Sequence, residues 1–351
     1  MKAGRVLSST LLVVLLSAAL YSAKAQECLP YESPVSLAGT LRSQVFPGPP
    51  NYQSIRRGDR KETAIILTLD KRTCTTDKDP MHTGDYPEAD IREMQLVIYN
   101  ADASVDKKWW RTVDERMGKR VMVTGTLFHA STGHHRTEVL IDITFIRAAR
   151  STETAVVTYP ALWFARIDDP KKPDWEILPQ EAKAGEVILS KRNELGILSN
   201  FAATPFELDG KRYASVEGFW QMMLYREPMD DFAKVKGIEW KYTREQVAQM
   251  SGFEAKAAGV LAEENMKKSA INWVTYQGKR FPYRSATPGE HYNLIVRAMR
   301  AKLEQNPEVK RILLATGDLK LRPDHIEEEN APPEWHYYEI WMQLRAELQK
   351  K

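Results

Sequence analysis

The second half of the chain holds a carboxyl and an amine placed for acid–base and covalent work: Glu217 and Lys256. Glu217 follows Ser215, a good helix N-cap, so its carboxyl falls in the first turn of a helix. There it either steadies the helix start or serves as a working acid. The helix terminus favours the ionised form and lowers the pKa, whereas burial beside Phe201, Phe219 and Trp220 raises it. Sequence leaves that contest open. Lys256 belongs to the opening of a later helix. A buried amine there can act as a nucleophile; the alternative is a solvated lysine paired with Glu254 or Glu263. Other residue types nearby suit binding. Arg192 and Glu194 precede the turn into the core, where a guanidinium either clamps a phosphate bidentately or makes a surface pair. Asn200 can hydrogen-bond sugar hydroxyls or close its own loop. Phe201, Trp220 and Trp273 can stack on a flat ring or pack in the core. Asp318 and Asp324, in turns near the end, complete the set.

The elements that must position these groups are legible from local signals. Phe206-Glu-Leu208 and Arg212-Tyr213 read as short strands around Asp209-Gly210, a pair that accepts positive φ at both positions. This hairpin delivers the chain to a helix over about 216–225. A second helix begins near Thr243, with Gln246 completing a capping box. Ser251 with Glu254 offers another box ahead of a helix over 253–268. Further helices are expected over 291–305 and from about Pro333 to Leu348. Val309–Ala315 reads as a strand or a buried helix, and Glu186–Ser190 as a strand. The pattern from Glu186 onward is α+β and mainly helical.

This second part resembles the NADAR family. The resemblance rests on Gly196-Ile-Leu-Ser-Asn-Phe201, Pro205-Phe206, Leu208-Asp-Gly210, Ser215-Val-Glu217 with Gln221, Lys256-Ala-Ala-Gly259 and Trp273. Met299, Lys302, Gln305-Asn-Pro307 and Leu313-Leu-Ala-Thr-Gly-Asp318 continue it, so that it covers roughly 186–325. It implies hydrolysis of an N-glycosidic bond in a ribosyl nucleotide or ADP-ribose derivative, with no cofactor and no metal. Glu217 then delivers a proton to the nitrogen leaving group or steadies positive charge at C1 of the sugar. Lys256 attacks C1 of the opened sugar, and Arg192, Glu194, Asn200, Phe201, Trp220, Trp273, Asp318 and Asp324 bind the substrate. Three features depart from the family pattern: Gly218 stands where a His is usual, Leu224 replaces a Lys, and the late acid-Trp-Gly motif is absent. The alternative these favour is a non-catalytic nucleotide- or ADP-ribose-binding protein of the envelope. Nucleic acid enters only as a carrier of ADP-ribose.

The first part reads differently. Ser36–Leu41, Thr63–Leu69, Met94–Tyr99, Arg120–Leu127 and Thr137–Phe145 are five strand candidates separated by segments rich in Pro, Gly and Asp, with one short helix over 106–117. Five strands with a helix before the fourth suit a small closed barrel of the oligonucleotide/oligosaccharide-binding type. His129, His134 and His135 cluster near a hairpin as metal ligands could, although adjacent strand residues point to opposite faces and an exposed polar turn is the preferred reading. Glu27-Cys28-Leu-Pro-Tyr31, Pro47-Gly-Pro-Pro-Asn-Tyr52 and Thr132-Gly-His134-His135 resemble a secreted bacterial domain of unknown function.

Composition sets the outer bounds. At 351 residues, 43% hydrophobic and 28% charged, the chain is globular and long enough for two domains. The formal charge of +3 is carried wholly by Lys2, Arg5 and Lys24. They belong to Met1–Ala25, which has the basic start, apolar core and Ala23-Lys24-Ala25 end of a cleaved export signal. A neutral remainder argues against an electrostatically driven nucleic-acid or membrane binder. Export makes a Cys28–Cys74 disulfide the expected state of the two cysteines, against two free thiols. The expected organisation is a signal over 1–25, an OB-like β domain over 26–150, a linker over 151–185 and a NADAR-like domain over 186–351. The expected location is periplasmic or secreted, with no lasting membrane anchor.

Overall fold

The computed structural model describes residues 28–31, 33–76, 87–99, 110–151, 153–227 and 238–350. The expected signal over 1–25 lies outside them, as does the start of the helix expected over 106–117; residues 110–114 of it are helical. No helix among the described residues is long and apolar enough to cross a membrane.

Five strands close into a barrel: β1 (Pro34–Pro47), β2 (Lys61–Thr73), β3 (Ile91–Val97), β4 (Arg120–His129) and β5 (Val139–Ala148). Their alternating apolar residues point inward because successive strand side chains face opposite sides. The order is β1-β2-β3-β5-β4, and β1 is long enough to pair with both β2 and β4, which shuts the sheet. Only β3 and β5 run parallel. Leu37, Leu41, Leu67, Met94, Val123 and Ile141 fill the interior. Cys28 and Cys74 form a disulfide that ties the start of the described chain to the end of β2. The histidines near the hairpin are spread over separate partners: His129 meets Glu88, His134 meets Glu62 and Tyr52, and His135 meets Tyr99.

Residues 153–185 are packed rather than merely bridging. β6 (Val156–Thr158) adds to β1, and Trp163 is fully buried in a second hydrophobic cluster. That cluster gathers six helices: α1 (Val216–Met222), α2 (Arg244–Ala248), α3 (Gly252–Lys268), α4 (Glu290–Gln305), α5 (Pro307–Ala315) and α6 (Tyr337–Lys350). Three small strand pairs accompany them: β7 (Glu186–Ile188) with β12 (Lys320–Arg322), β8 (Phe206–Leu208) with β9 (Lys211–Tyr213), and β10 (Trp273–Tyr276) with β11 (Lys279–Pro282). Asp209 and Gly210 both take positive φ, 50° and 74°, between β8 and β9. Thr243 and Gln246 form their capping box. Ser251 caps α3 without any side-chain bond, so the second expected box does not form. Val309–Ala315 is helical: its buried positions, Val309, Ile312 and Leu313, repeat at helical rather than strand spacing.

Candidate active site

The hairpin and α1 put Glu217 where local signals place it. Ser215 Oγ accepts from Gly218 N–H at 2.8 Å and donates to the Met250 carbonyl at 2.9 Å, fixing the helix start against the approach to α3. Two main-chain bonds then tie three segments together. Glu217 N–H donates to the Asn200 carbonyl, and Gly252 N–H donates to the Phe201 carbonyl, each at 2.9 Å. The loop carrying Asn200, the first turn of α1 and the first turn of α3 therefore converge, and a cavity of about 420 Å³ opens among them. Glu217, Lys256, Asn200, Phe201 and Trp220 all line it, with Lys191 and Gln221. Its size lies within the ~300–1,000 Å³ of small-molecule sites.

Glu217 is only 6% exposed. Burial pushes its carboxyl above the usual range, and the hydrogen bond from Gln221 with the charges of Lys256 and Lys191 pulls back without cancelling that rise. Burial is the largest influence on it. Gln221 Nε2 donates to Glu217 Oε1 at 2.7 Å. Gln221 has room to do so only because position 259 is glycine, since a Cβ there would lie 1.7 Å from Gln221 Oε1. Lys256 forms no ion pair among the described residues; Glu263 is taken by Arg284 and Tyr283. Asn200 keeps its buried Oδ1 without a hydrogen-bond partner, an acceptor left for a bound hydroxyl or amine.

The loop presenting Asn200 is held from behind by two buried donors. Trp341 Nε1 donates to the Leu198 carbonyl at 2.6 Å, and Lys302 Nζ to the Ser199 carbonyl at 2.8 Å. Lys302 is fully buried, and desolvation pushes its amine down to about 7. On a further wall Lys191 Nζ donates to both oxygens of Asp324 at 2.6 Å. Burial opposes the ionisation of Asp324, but the bond from His325 and the Lys191 charge outweigh it and hold its carboxyl below the usual range. Behind Trp220, the buried pair of His291 Nδ1 and Glu334 Oε1 meets at 2.8 Å, with the His291 ring edge-on to the indole at 4.9 Å.

Five residues expected at the substrate, Arg192, Glu194, Trp273, Asp318 and Asp324, stand outside this lining. Arg192 is held by both oxygens of Glu176, at 2.6 Å each, and by Asp169 at 2.7 Å. Glu194 accepts from Trp163 Nε1 at 2.7 Å. Trp273 lies under the Arg280 guanidinium, 3.6 Å from the ring centre. Asp318 pairs with Arg147 of β5 at 2.9 Å and so joins the barrel to the helices. Asp324 backs the cavity through Lys191. Gly218 faces Met250, whose carbonyl would lie 2.4 Å from any Cβ added there. A side chain at 218 has no space against that carbonyl. Sequence reasoning passed over Lys191, one residue before Arg192, and also Trp175, Phe253, Tyr283, His325, Ile326, Trp335 and Tyr337, which with Ser199 complete the lining. Only adjacency to the opening motif marked Lys191; Trp175 sits in a stretch whose turn-rich composition concealed it.

Comparison with known proteins supports the resemblance in part. The chain is 27% identical over 132 residues to the N-glycosidase YbiA of Escherichia coli (strain K12), and equally to that of Shigella boydii serotype 4 (strain Sb227). The matched stretch is 38% of this chain and 64% of those relatives, just under two thirds of their length. A solved structure, the NMR structure of E. coli YbiA, is similar at 24% identity and a TM-score of 0.29, covering 46% of this chain and 82% of its own. A family model described as a domain of unknown function, DUF4431, matches residues 93–147, within the barrel.

Proposed function

We propose that the cavity beside Glu217 hydrolyses an N-glycosidic bond in a ribosyl nucleotide or ADP-ribose derivative. The observation that carries this reading is a buried carboxyl with a raised pKa, facing a cavity shared with an amine and an amide. The partial likeness to N-glycosidases agrees with it. A protonated Glu217 gives its proton to the departing nitrogen, and the C1–N bond breaks with its electron pair going to that nitrogen. Water adds to C1, and the proton it sheds returns to Glu217. In the ring-opened form Lys256 Nζ adds to C1 instead and the nitrogen leaves with the Glu217 proton. The protonated imine so formed is cleaved by water, which frees the sugar aldehyde, restores the amine and returns the proton to Glu217. Asn200 Oδ1 accepts from a ribose hydroxyl.

The barrel, as an OB-like module exported with the rest after removal of 1–25, serves delivery or partner binding in this reading. The test is product analysis of the purified chain with NAD, ADP-ribose conjugates and ribosylamino pyrimidines, beside Glu217→Gln. Loss of at least ~10²-fold in the variant is expected; equal turnover by both proteins removes Glu217 from the chemistry. Borohydride added during turnover should fix the sugar covalently to Lys256.

A further inference from the structure

We infer that His325, its ring set by Asp324, is the base that takes the proton of the attacking water; the inference deepens the hydrolysis proposed for this cavity and rests on it. His325 follows β12 and lines the same cavity as Glu217 and Lys256. Its side chain is 35% exposed, so water reaches it.

Geometry fixes which nitrogen is free. Nδ1 lies 3.3 Å from Asp324 Oδ1. Asp324 is buried and ionised beside Lys191, and a carboxylate only accepts. The proton of a neutral His325 therefore sits on Nδ1, and the Nε2 lone pair is left open. Nε2 has no hydrogen-bond partner among the described residues. The ring lies parallel to that of Tyr337, with 9° between the planes and 6.3 Å between centres. The backbone is pinned as well: His325 bridges to Glu176, and Ile326 N–H donates to the Trp175 carbonyl at 2.9 Å. Other charged groups around it are engaged elsewhere. Glu176 holds Arg192, Glu327 accepts from Tyr338, and Arg322 meets Glu186.

The remaining titratable groups of the lining suit other tasks. Glu217 is the acid at nitrogen, and Lys256 is kept for C1. Lys191 is the cation of the pair with Asp324. Burial keeps the Tyr283 and Tyr337 hydroxyls protonated. Another imidazole, His291, is buried behind Trp220 and meets no solvent. In the direct route a lone pair of the water forms the C1–O bond while one of its protons passes to Nε2. The imidazolium then gives that proton to solvent, from which Glu217, having protonated the nitrogen, is recharged. Water adding to the imine carbon on Lys256 sheds its proton in the same way.

The test compares wild type, His325→Ala and His325→Gln on a ribosylamino pyrimidine, with water or azide as nucleophile. Azide bonds to C1 without shedding a proton and needs no base. Hydrolysis should fall about 10²-fold in both variants, while formation of the glycosyl azide stays within about threefold of wild type. The acidic limb of kcat/KM, where wild type loses its free Nε2, should vanish in the variants. Added imidazole should restore about tenfold or more of the rate to His325→Ala and nothing to wild type. Hydrolysis within about threefold of wild type, or equal loss with water and azide, overturns the assignment. Turnover by wild type beside either of those results leaves the glycosidase reading standing and strikes His325 alone. A wild type that cleaves no ribosyl compound removes the glycosidase reading, and His325 with it.

Discussion

Replacing Gly259 by alanine puts a methyl group where Gln221 already lies. The new Cβ would fall 1.7 Å from Gln221 Oε1 and 2.2 Å from its Cδ. Gln221 is 3% exposed and sits in α1, so its amide cannot swing into solvent. A carbon–oxygen contact relaxes only beyond ~3 Å, and the amide must therefore move by more than about 1 Å. Its 2.7 Å bond to Glu217 Oε1 breaks with that movement. Two consequences separate cleanly. Overpacking should cost about 1–3 kcal/mol of stability. An acid freed from that anchor and misplaced by about 1 Å should lower kcat/KM about 10²-fold. The pH profile carries the sign. Gln221 lowers the pKa of Glu217, so losing its bond raises that pKa further. An acid that works protonated then stays active to higher pH, and the alkaline limb of kcat/KM should move upward. The double variant Gln221→Ala/Gly259→Ala removes the clash but not the defect, and should recover stability without recovering rate. A Gly259→Ala protein with kcat/KM within about threefold of wild type and an unmoved alkaline limb would falsify the positioning argument.

The remaining expectations concern the frame. Lys302→Met removes a buried amine whose pKa falls from 10.5 to about 7 on folding. Between those values the unfolded chain binds the extra proton, so wild-type stability gains with rising pH by up to about 1.4 kcal/mol per unit; urea unfolding at several pH values should show that gain in wild type and its absence in the variant. Gly218→Ala drives a methyl onto the Met250 carbonyl at 2.4 Å and the Val247 carbonyl at 3.0 Å. It should lower stability by about 1–3 kcal/mol, read as a fall in Tm. Cys28→Ser with Cys74→Ser opens a bridge between residues 46 apart in sequence and should cost about 2–4 kcal/mol by denaturant titration of oxidised wild type against the variant.

Much of the frame was legible before any coordinates. The Asp209-Gly210 turn, the Ser215 cap and the Thr243–Gln246 box each involve groups within a few residues, so their physics is complete inside one short window. The five barrel strands followed from apolar alternation, and the two cysteines from their number and expected compartment. Glu217 and Lys256 could be singled out on residue type, cap position and resemblance.

Which neighbours share their cavity was decided elsewhere. Lys191 and Arg192 are adjacent, yet one lines the cavity, held by Asp324 from 133 residues away, and the other turns to Glu176 and Asp169. Trp220 lines the wall whereas Trp273 is claimed by Arg280. Asp318 serves the contact with β5 through Arg147, 171 residues distant. Sequence by itself determined where helices start, where strands turn and which side chains are capable of chemistry. Tertiary structure alone chose the partners, because a charge or ring inside a protein is committed by whichever distant group satisfies it first, and that contact has no trace in local spacing.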